Sequence, residues 1–208
     1  MNMRDPELAL NPPALLTERL LLRAPTEADL DSLYEVHADP GTNRFNPSGP
    51  MNSRAAAEAL LRDWQAHWQT RGFGYWLIAR REQAGPSGLA GEEQVLGFGG
   101  LMHKPIDGQQ GLNLYFRFRP QAWGQGYASE MALAALELAF GRLQAPAVLG
   151  VVRPANMPSR KTLERIGMRL KGCWADVPGQ AASLLYEMTA SHWAELPRQS
   201  AVPTPFGA

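Results

Sequence analysis

The sequence lacks the features that would indicate an extracellular, membrane-spanning or nucleic-acid-binding protein. Its 208 residues include one cysteine, Cys173, which excludes an internal disulfide and a multi-cysteine metal site. No apolar run approaches the roughly 18 residues of a membrane span, and residues 1–11 have no apolar signal-peptide centre. Twenty basic side chains balance twenty acidic ones, which argues against a dedicated nucleic-acid binder. We therefore expect a cytoplasmic protein with no nucleic-acid or membrane partner and no metal.

The charges that are present are unevenly distributed along the chain. Residues 117–171 hold nine Lys and Arg against three Asp and Glu, a surplus of six. A local surplus in a neutral protein suits a small polyanionic ligand better than a long nucleic acid, because the field is focused on one site. The alternative is that these charges lie scattered over solvated helix faces.

The order of predicted elements indicates one mixed α/β domain at residues 15–190, between tails at 1–14 and 191–208. Hydrophobic periodicity predicts strands at residues 15–23, 75–80, 95–101, 112–118, 147–152, 168–174 and 183–189. It predicts helices at 27–38, from 54 onward, at 126–142, and from Asn156 as N-cap to Gly167 as C-cap glycine.

The segment from Phe116 to Ser129 is the most informative part of the chain. A predicted strand ends at Pro120, two closely spaced glycines follow, and a helix begins. The first N–H groups of a helix have no partner and carry partial positive charge, so a phosphate can bind there. The segment lacks the Gly-Lys-Ser/Thr of a Walker loop and the third glycine of a dinucleotide fingerprint. A tight turn with no ligand is the other interpretation of the two glycines.

Five segments, in order and over nearly the whole predicted domain, share a pattern with one known family. The segments are Thr17-Glu-Arg-Leu-x-Leu-Arg23, Gly72-Phe-Gly-Tyr-Trp76, Leu96-Gly-Phe-Gly-Gly-Leu101, Trp123-Gly-Gln-Gly-Tyr-Ala128, and Asn156-x-x-Ser159 followed by Leu163-Glu-x-x-Gly167. They resemble the GNAT superfamily of N-acetyltransferases, and they are most similar to the branch that acetylates the N-termini of ribosomal proteins.

The resemblance implies a single α/β domain with a mixed, mostly antiparallel sheet of about seven strands and about four helices. It also implies that the protein binds acetyl-CoA and moves the acetyl group directly to a primary amine. The main chain of Phe116, Arg117 and Phe118 would then pair with the pantetheine arm, and Asn156 would bind it near the thiol. Ser159 would lie close to the sulfur and hydrogen-bond the departing thiolate. The pyrophosphate would bind the backbone amides of Trp123, Gly124, Gln125, Gly126, Tyr127 and Ala128.

Two positions depart from the family pattern. Trp123 stands where the glycine loop often opens with arginine or glutamine, which is usual in this branch. Asn113 stands where many members have a glutamate that takes the proton from the amine, and asparagine cannot act as a base. A terminal α-amine, with a pKa near ~8, is already partly neutral at pH 7, whereas a lysine near ~10.4 is not. The sequence thus favours an α-amine acceptor.

Several alternatives stay open from the sequence. Glu130 is either a base or, more simply, an acid that complements the helix dipole. Arg153, Arg160 and Lys161 are candidate contacts to the 3′-phosphate of the cosubstrate or solvated side chains. The protein is either an enzyme, a non-catalytic acyl-CoA-binding protein of the same fold or a nucleotide-binding protein. The acceptor could be a protein N-terminus, another peptide, an amino acid, a polyamine or an amino sugar, and a homodimer is possible.

Overall fold

The computed structural model describes residues 14–81 and 94–197. The sequence also predicts a Gly-, Pro- and Ser-rich loop at 83–94, and all of this loop except residue 94 lies outside the described residues, as do the outer parts of both predicted tails. The strands are β1 (Leu15–Leu16), β2 (Leu20–Arg23), β3 (Tyr75–Arg80), β4 (Val95–Ile106), β5 (Gln109–Phe118), β6 (Ala147–Val152), β7 (Arg169–Trp174) and β8 (Ser183–Thr189). The α-helices are α1 (Leu30–Ala38), α2 (Arg54–Arg71), α3 (Tyr127–Glu137), α4 (Met157–Arg165) and α5 (Ala190–Glu195).

The eight strands form one sheet in the order β1-β2-β3-β4-β5-β6-β8-β7. Every neighbouring pair is antiparallel except β5 and β6, which run parallel. The predicted mixed, mostly antiparallel sheet is therefore confirmed, with one strand and one helix more than expected.

The core lies on both faces of the sheet, because successive side chains of a strand point to opposite sides. On one face Tyr75 and Leu77 of β3 pack with Leu33 of α1 and Trp64 of α2. The other face collects alternate residues of the same strands and the apolar stripes of α3 and α4, including Trp76, Ile78, Met131, Ala135 and Leu163. The sheet is thus sandwiched between α1 and α2 on one side and α3 and α4 on the other.

Local sequence signals account for where most helices begin and end. The Ser53 side chain accepts from the Ala56 amide at the start of α2, and Gly72 ends that helix in the left-handed conformation. The predicted helix 126–142 is α3 followed by a π-helical turn, Leu138–Arg142. No helix among the described residues is long and apolar enough to cross a membrane.

Three elements differ from the sequence prediction. The predicted first strand, 15–23, is two antiparallel strands, because the chain turns at residues 17–19. Strands β4 and β5 extend beyond their predicted ends and meet at Asp107 and Gly108. Both of these residues have positive φ, 49° and 76°, which is the backbone of a tight two-residue hairpin turn. A short fifth helix, α5, begins at the predicted end of the domain.

Candidate active site

The central feature of the site is a gap in the sheet between β5 and β6. These parallel strands share one register pair, Asn113 with Leu149, and β5 then continues without a partner on that side. The Arg119 amide donates to the Leu96 carbonyl on β4 at 2.8 Å. Because backbone groups alternate along a strand, those of Phe116 and Phe118 face away from β4 and into the gap, whereas those of Arg117 face Phe98 on β4. The predicted pairing of the Arg117 main chain with the pantetheine arm is therefore wrong. The gap therefore offers an unpaired strand edge to an extended ligand.

Two helices begin at the same end of this gap. Strands β5 and β6 run in parallel, so their carboxyl ends lie at one edge of the sheet, where β5 leads into α3 and β6 leads into α4. Each helix N-terminus carries partial positive charge and unpaired N–H groups. An anionic ligand is therefore favoured at this end of the gap, as in other open sheets where ligands bind beyond the carboxyl ends of strands.

The glycine loop before α3 exposes a run of amides. Gly124 and Gly126 adopt left-handed φ values of 73° and 80°, which residues with a Cβ rarely adopt. The N–H groups of residues 124–129 donate to no other described residue, and the first amide bound within the helix is that of Glu130, to the Gly126 carbonyl at 3.1 Å. This geometry fits a diphosphate, which needs several converging donors.

The structure differs from the sequence interpretation at Trp123 and at the arginine or glutamine position that opens the loop. Trp123 does not offer its amide, which donates to the Pro120 carbonyl at 3.1 Å. Its indole Nε1 donates to the Phe118 carbonyl at 2.8 Å, so that one carbonyl facing the gap is already bound. The arginine or glutamine position, counted three residues before Gly124, falls on Gln121 rather than on Trp123. The family pattern is therefore complete in this chain.

An ion pair fixes the glycine loop to the first hairpin. Arg19 donates from Nε to Glu130 Oε2 at 2.7 Å and from Nη1 to the Gln125 carbonyl at 2.9 Å. Glu130 Oε1 accepts from the Thr17 hydroxyl at 2.6 Å and from the Arg19 amide at 2.8 Å. The Arg19 guanidinium also lies 4.7 Å from the centroid of the Tyr127 ring. Glu130 is thus engaged in holding the loop, which argues against a catalytic base, and it lies in the first turn of α3, where an acid also complements the helix dipole.

The start of α4 presents Asn156 and Ser159 beside the gap. Oδ1 of Asn156 accepts from the Ser159 amide at 3.2 Å, which confirms Asn156 as the N-cap. The Asn156 side-chain NH₂ and the Ser159 hydroxyl make no hydrogen bond with other described residues. Both groups are half-buried. They are therefore placed to donate to a ligand in the gap.

The position where many relatives carry a glutamate is occupied by a neutral pair. Asn113 is 9% exposed on β5 and donates from Nδ2 to the Tyr75 hydroxyl at 2.7 Å. Burial is the main cause that raises the pKa of Tyr75 above its ordinary value of 10.0, so that the phenol stays protonated. Neither group can take a proton from an incoming ammonium at neutral pH.

A second polar cluster lies on the α1 and α2 face of β5. His37 Nδ1 lies 2.8 Å from the Leu33 carbonyl, so this nitrogen carries the proton, and Nε2 accepts from the Tyr115 hydroxyl at 3.0 Å. Burial, together with the Arg117 guanidinium, lowers the pKa of His37 from 6.5 to about 4. His37 is therefore a neutral packing residue, as its place on the helical stripe predicts.

The cationic candidates for the 3′-phosphate divide into two kinds. Arg153 is engaged internally, because its Nη1 lies 3.1 Å from Asp176 Oδ1 and 3.1 Å from the Ser183 hydroxyl. Arg160 donates from Nη1 to the Pro154 carbonyl at 3.2 Å, and its buried Nε has no partner among the described residues. Lys161 is exposed on α4. Arg160 and Lys161 thus stay candidates, whereas Arg153 serves the β7–β8 connection.

Sequence reasoning missed Arg19, Gln121 and the side chain of Arg117. Gln121 could have been found by counting back from Gly124. Arg19 lies 111 residues from Glu130 in the chain, and no local pattern links the two. The Arg117 side chain leaves the strand on the face opposite Phe116, and nothing in the sequence shows what covers that face.

Comparison with known proteins identifies the family. The sequence pattern of the acetyltransferase (GNAT) domain matches residues 19–169, well over half of the chain. The chain therefore belongs to the GNAT acetyltransferase family, and it is an acetyl-CoA-dependent N-acetyltransferase. It is 29% identical to YkkB of Bacillus subtilis, an uncharacterized protein, over 74% of this chain and 84% of YkkB. It is 25% identical to YnaD, an uncharacterized N-acetyltransferase of the same species, over 76% and 84% of the two chains.

Solved structures agree with this assignment. An acetyltransferase from Agrobacterium tumefaciens superimposes with a TM-score of 0.69 at 26% identity, covering 90% of this chain and 98% of its own. A spermidine N-acetyltransferase from Vibrio cholerae, in complex with CoA and spermine, has a TM-score of 0.65 at 16% identity over 85% and 98%. A Vibrio cholerae protein provisionally assigned as a ribosomal-protein-serine acetyltransferase has a TM-score of 0.62 at 18% identity over 85% and 97%. The last two share the fold.

Proposed function

We propose that this protein acetylates the α-amine of a peptide or amino acid, with acetyl-CoA seated in the gap between β5 and β6. The observation that carries the proposal is the unpaired edge of β5 that leads directly into a loop of free amides. A pantetheine arm carries amides that can pair with such an edge, and a diphosphate matches the amides of residues 124–129. Within residues 117–171, Arg119, Arg153 and Lys171 form ion pairs, and Arg160 and Lys161 on α4 are the cations proposed to contact the polyanionic cosubstrate.

Acetyl transfer requires a hydrogen-bond donor for the carbonyl oxygen of the thioester, a donor for the leaving sulfur and an acceptor amine that is neutral. The Phe116 amide faces the gap and supplies a donor where negative charge develops on the thioester oxygen. The Ser159 hydroxyl, half-buried near the N-terminus of α4, donates to the sulfur as the carbon–sulfur bond breaks. The nitrogen forms the new bond to the acetyl carbon and loses its proton to solvent or to the thiolate.

The acceptor class follows from what the site lacks. Asn113 and Tyr75 are neutral, so the site has no carboxylate at the family's base position. An α-amine, with a pKa near ~8, supplies a useful neutral fraction without a base, whereas lysine and polyamine nitrogens do not. A cavity of about 350 Å³ on the α1 and α2 face of β5 has no Asp or Glu among its described lining residues. A polycation such as spermidine would find no counter-charge there.

Acetyl transfer to defined amines tests the proposal. The purified protein is incubated with acetyl-CoA and either a short peptide with a free N-terminus, the same peptide with a blocked N-terminus and a lysine, or spermidine. CoA release is measured by chromatography, because the exposed thiol of Cys173 would react with a thiol reagent. Mass spectrometry then locates the acetyl group.

We expect acetylation of the free N-terminus and little of the blocked peptide or of spermidine. Preference for the lysine or for spermidine would contradict the α-amine assignment. Binding of acetyl-CoA without CoA release from any amine would instead favour a non-catalytic acyl-CoA-binding protein, for which the neutral pair at Asn113 is the supporting feature.

A further inference from the structure

Arg117 is a half-buried cation without a counter-ion. Its side chain leaves β5 on the α1 and α2 face of the sheet, beside Tyr115. The centroid of the Tyr115 ring lies 6.0 Å from the guanidinium carbon. In residues 14–81 and 94–197, no carboxylate lies within ion-pair distance of it, whereas Arg19, Arg23, Arg119 and others on the same domain are paired. Removing a charge from water without a partner is unfavourable. The position therefore calls for an anion that the described residues do not supply.

The guanidinium is held in place by a buried amide. Nη1 of Arg117 donates to Oδ1 of Asn43, a residue that is 4% exposed in the connection between α1 and α2. The Asn43 Nδ2 group donates to the carbonyls of His37 and Asp39, each at 2.8 Å. Nδ2 of Asn46 donates a second hydrogen bond to the same Oδ1 at 2.9 Å. Asn43 is thus saturated by its neighbours, and it orients Arg117 instead of neutralising it.

The same residues line the cavity of about 350 Å³ on this face. That volume is within the range of small-molecule sites, which begin at roughly 300 Å³. Its described lining has no acidic residue. Besides the cation of Arg117, it includes the polar and apolar side chains of His37, Asn43, Asn46, Ser48, Met51 and Leu60. Phe116, whose amide the proposed function places at the thioester oxygen, directly precedes Arg117 on β5. The cavity is therefore within reach of a short acceptor.

We propose that Arg117 binds a carboxylate of the acceptor, so that the preferred substrate carries a primary α-amine and a carboxylate close to it. This inference rests on the proposed function, because it specifies the acceptor of that same site. A guanidinium has five N–H donors in a planar arrangement that matches a carboxylate. Nη1 of Arg117 is bound to Asn43 and the guanidinium also interacts with the Tyr115 side chain, which leaves the remaining N–H groups for the ligand. The carboxylate belongs either to a free amino acid or to an acidic residue next to a peptide N-terminus.

Paired acceptors test the proposal with the full-length protein. One pair is a short peptide that begins Ser-Asp and its Ser-Asn counterpart, and the other is alanine and alanine amide. We expect kcat/KM to be about 10- to 100-fold higher for the carboxylate member of at least one pair, as for a charge-assisted hydrogen bond. The pair that shows the difference identifies the source of the carboxylate.

Three variants connect the preference to this side chain. Arg117→Met should abolish the preference through a higher KM for the carboxylate acceptor, so that kcat/KM becomes equal for the two members of the pair. Arg117→Lys keeps the charge without the planar fork and should restore part of the preference. Arg142→Met removes one charge from an exposed position and should change neither acceptor.

Two results would overturn the proposal. Equal kcat/KM for both members of both pairs in the wild-type protein would exclude carboxylate recognition. An equal loss on charged and neutral acceptors in folded Arg117→Met would reduce Arg117 to a structural residue. Either result leaves the proposed function intact as long as some α-amine is acetylated, whereas the absence of CoA release with every amine overturns both.

Discussion

At the scale of single residues, Ser159 is the candidate for the chemical step. Its amide is bound by Asn156 and its hydroxyl is free of other described residues. We expect Ser159→Ala to lower kcat about 10²-fold, the lower end of general-acid effects. The KM for acetyl-CoA should change little, because the helix cap uses the amide and not the hydroxyl. Steady-state kinetics at saturating amine measures both.

Thr162→Ala is the matched control for the loss of a hydroxyl on the same helix. The Thr162 hydroxyl donates to the Pro158 carbonyl at 3.1 Å within α4 and faces no ligand group. A loss of kcat in Ser159→Ala no larger than that in Thr162→Ala would remove Ser159 from the reaction.

At the scale of elements, the glycine loop depends on two left-handed residues. Gly124→Ala should raise the KM for acetyl-CoA at least tenfold, because φ of 73° is strained for alanine and the loop would turn its amides elsewhere. Gly108→Ala is the control, since Gly108 also has a positive φ, 76°, and also has nothing within 4 Å of an added Cβ. It lies at the opposite end of β5. Isothermal titration measures the affinity of each variant for acetyl-CoA. An equal loss of affinity in Gly124→Ala and Gly108→Ala would contradict a specific role for the loop.

The Arg19–Glu130 pair is expected to position this loop. Arg19→Met removes the donor to the Gln125 carbonyl and should raise the KM for acetyl-CoA about tenfold with a smaller change in kcat. The exposed pair of Arg54 and Asp31 gives the comparison, because Arg54→Met also breaks an ion pair. Exposed pairs contribute about 0–1 kcal/mol to stability. A fall in melting temperature with an unchanged KM in Arg19→Met would indicate that the pair serves folding alone.

The sequence allowed most elements to be predicted, because their signals are local. Ser53 and Asn156 act as helix caps at the predicted helix starts. The hairpin at Asp107-Gly108 was missed although Asp-Gly is a known turn signal, since the residues before it, Lys104 and Pro105, are poor strand formers.

The parts of the site that could not be predicted depend on contacts between distant segments. The glycine loop was found because its glycines lie only two positions apart in the sequence. The clamp of Arg19 on Glu130 and the seat of Arg117 on Asn43 join elements 111 and 74 residues apart. The gap itself depends on how far β5 and β6 diverge, and the hydrophobic pattern of a strand does not specify the angle to its neighbour.

At the scale of the whole molecule, the buried His37 makes stability depend on pH. Its pKa is lowered to about 4 in the folded protein from 6.5, so the unfolded chain binds the proton first as the pH falls. Stability contributed by neutral His37 is therefore complete above pH 6.5 and is lost as the pH falls toward 4. The loss is about 3 kcal/mol over that window.

Urea unfolding between pH 7 and pH 4 measures this dependence. We expect His37→Gln to be less stable than the wild-type protein at pH 7, because it disturbs the contact with Tyr115. Its stability should fall less steeply with decreasing pH. Parallel curves for the two proteins would show that other groups cause the acid sensitivity.

The single register pair between β5 and β6 has a consequence for the molecule as a whole. It divides the sheet into a half-sheet of five strands and one of three that share little backbone bonding. A pantetheine arm paired with β5 would act as a ninth strand. Binding of acetyl-CoA would therefore strengthen the contact between the two half-sheets. Acetyl-CoA at a hundred times its Kd would add about 2.7 kcal/mol to the free energy of unfolding. Resistance of this protein to proteolysis would thus rise and fall with the acetyl-CoA supply.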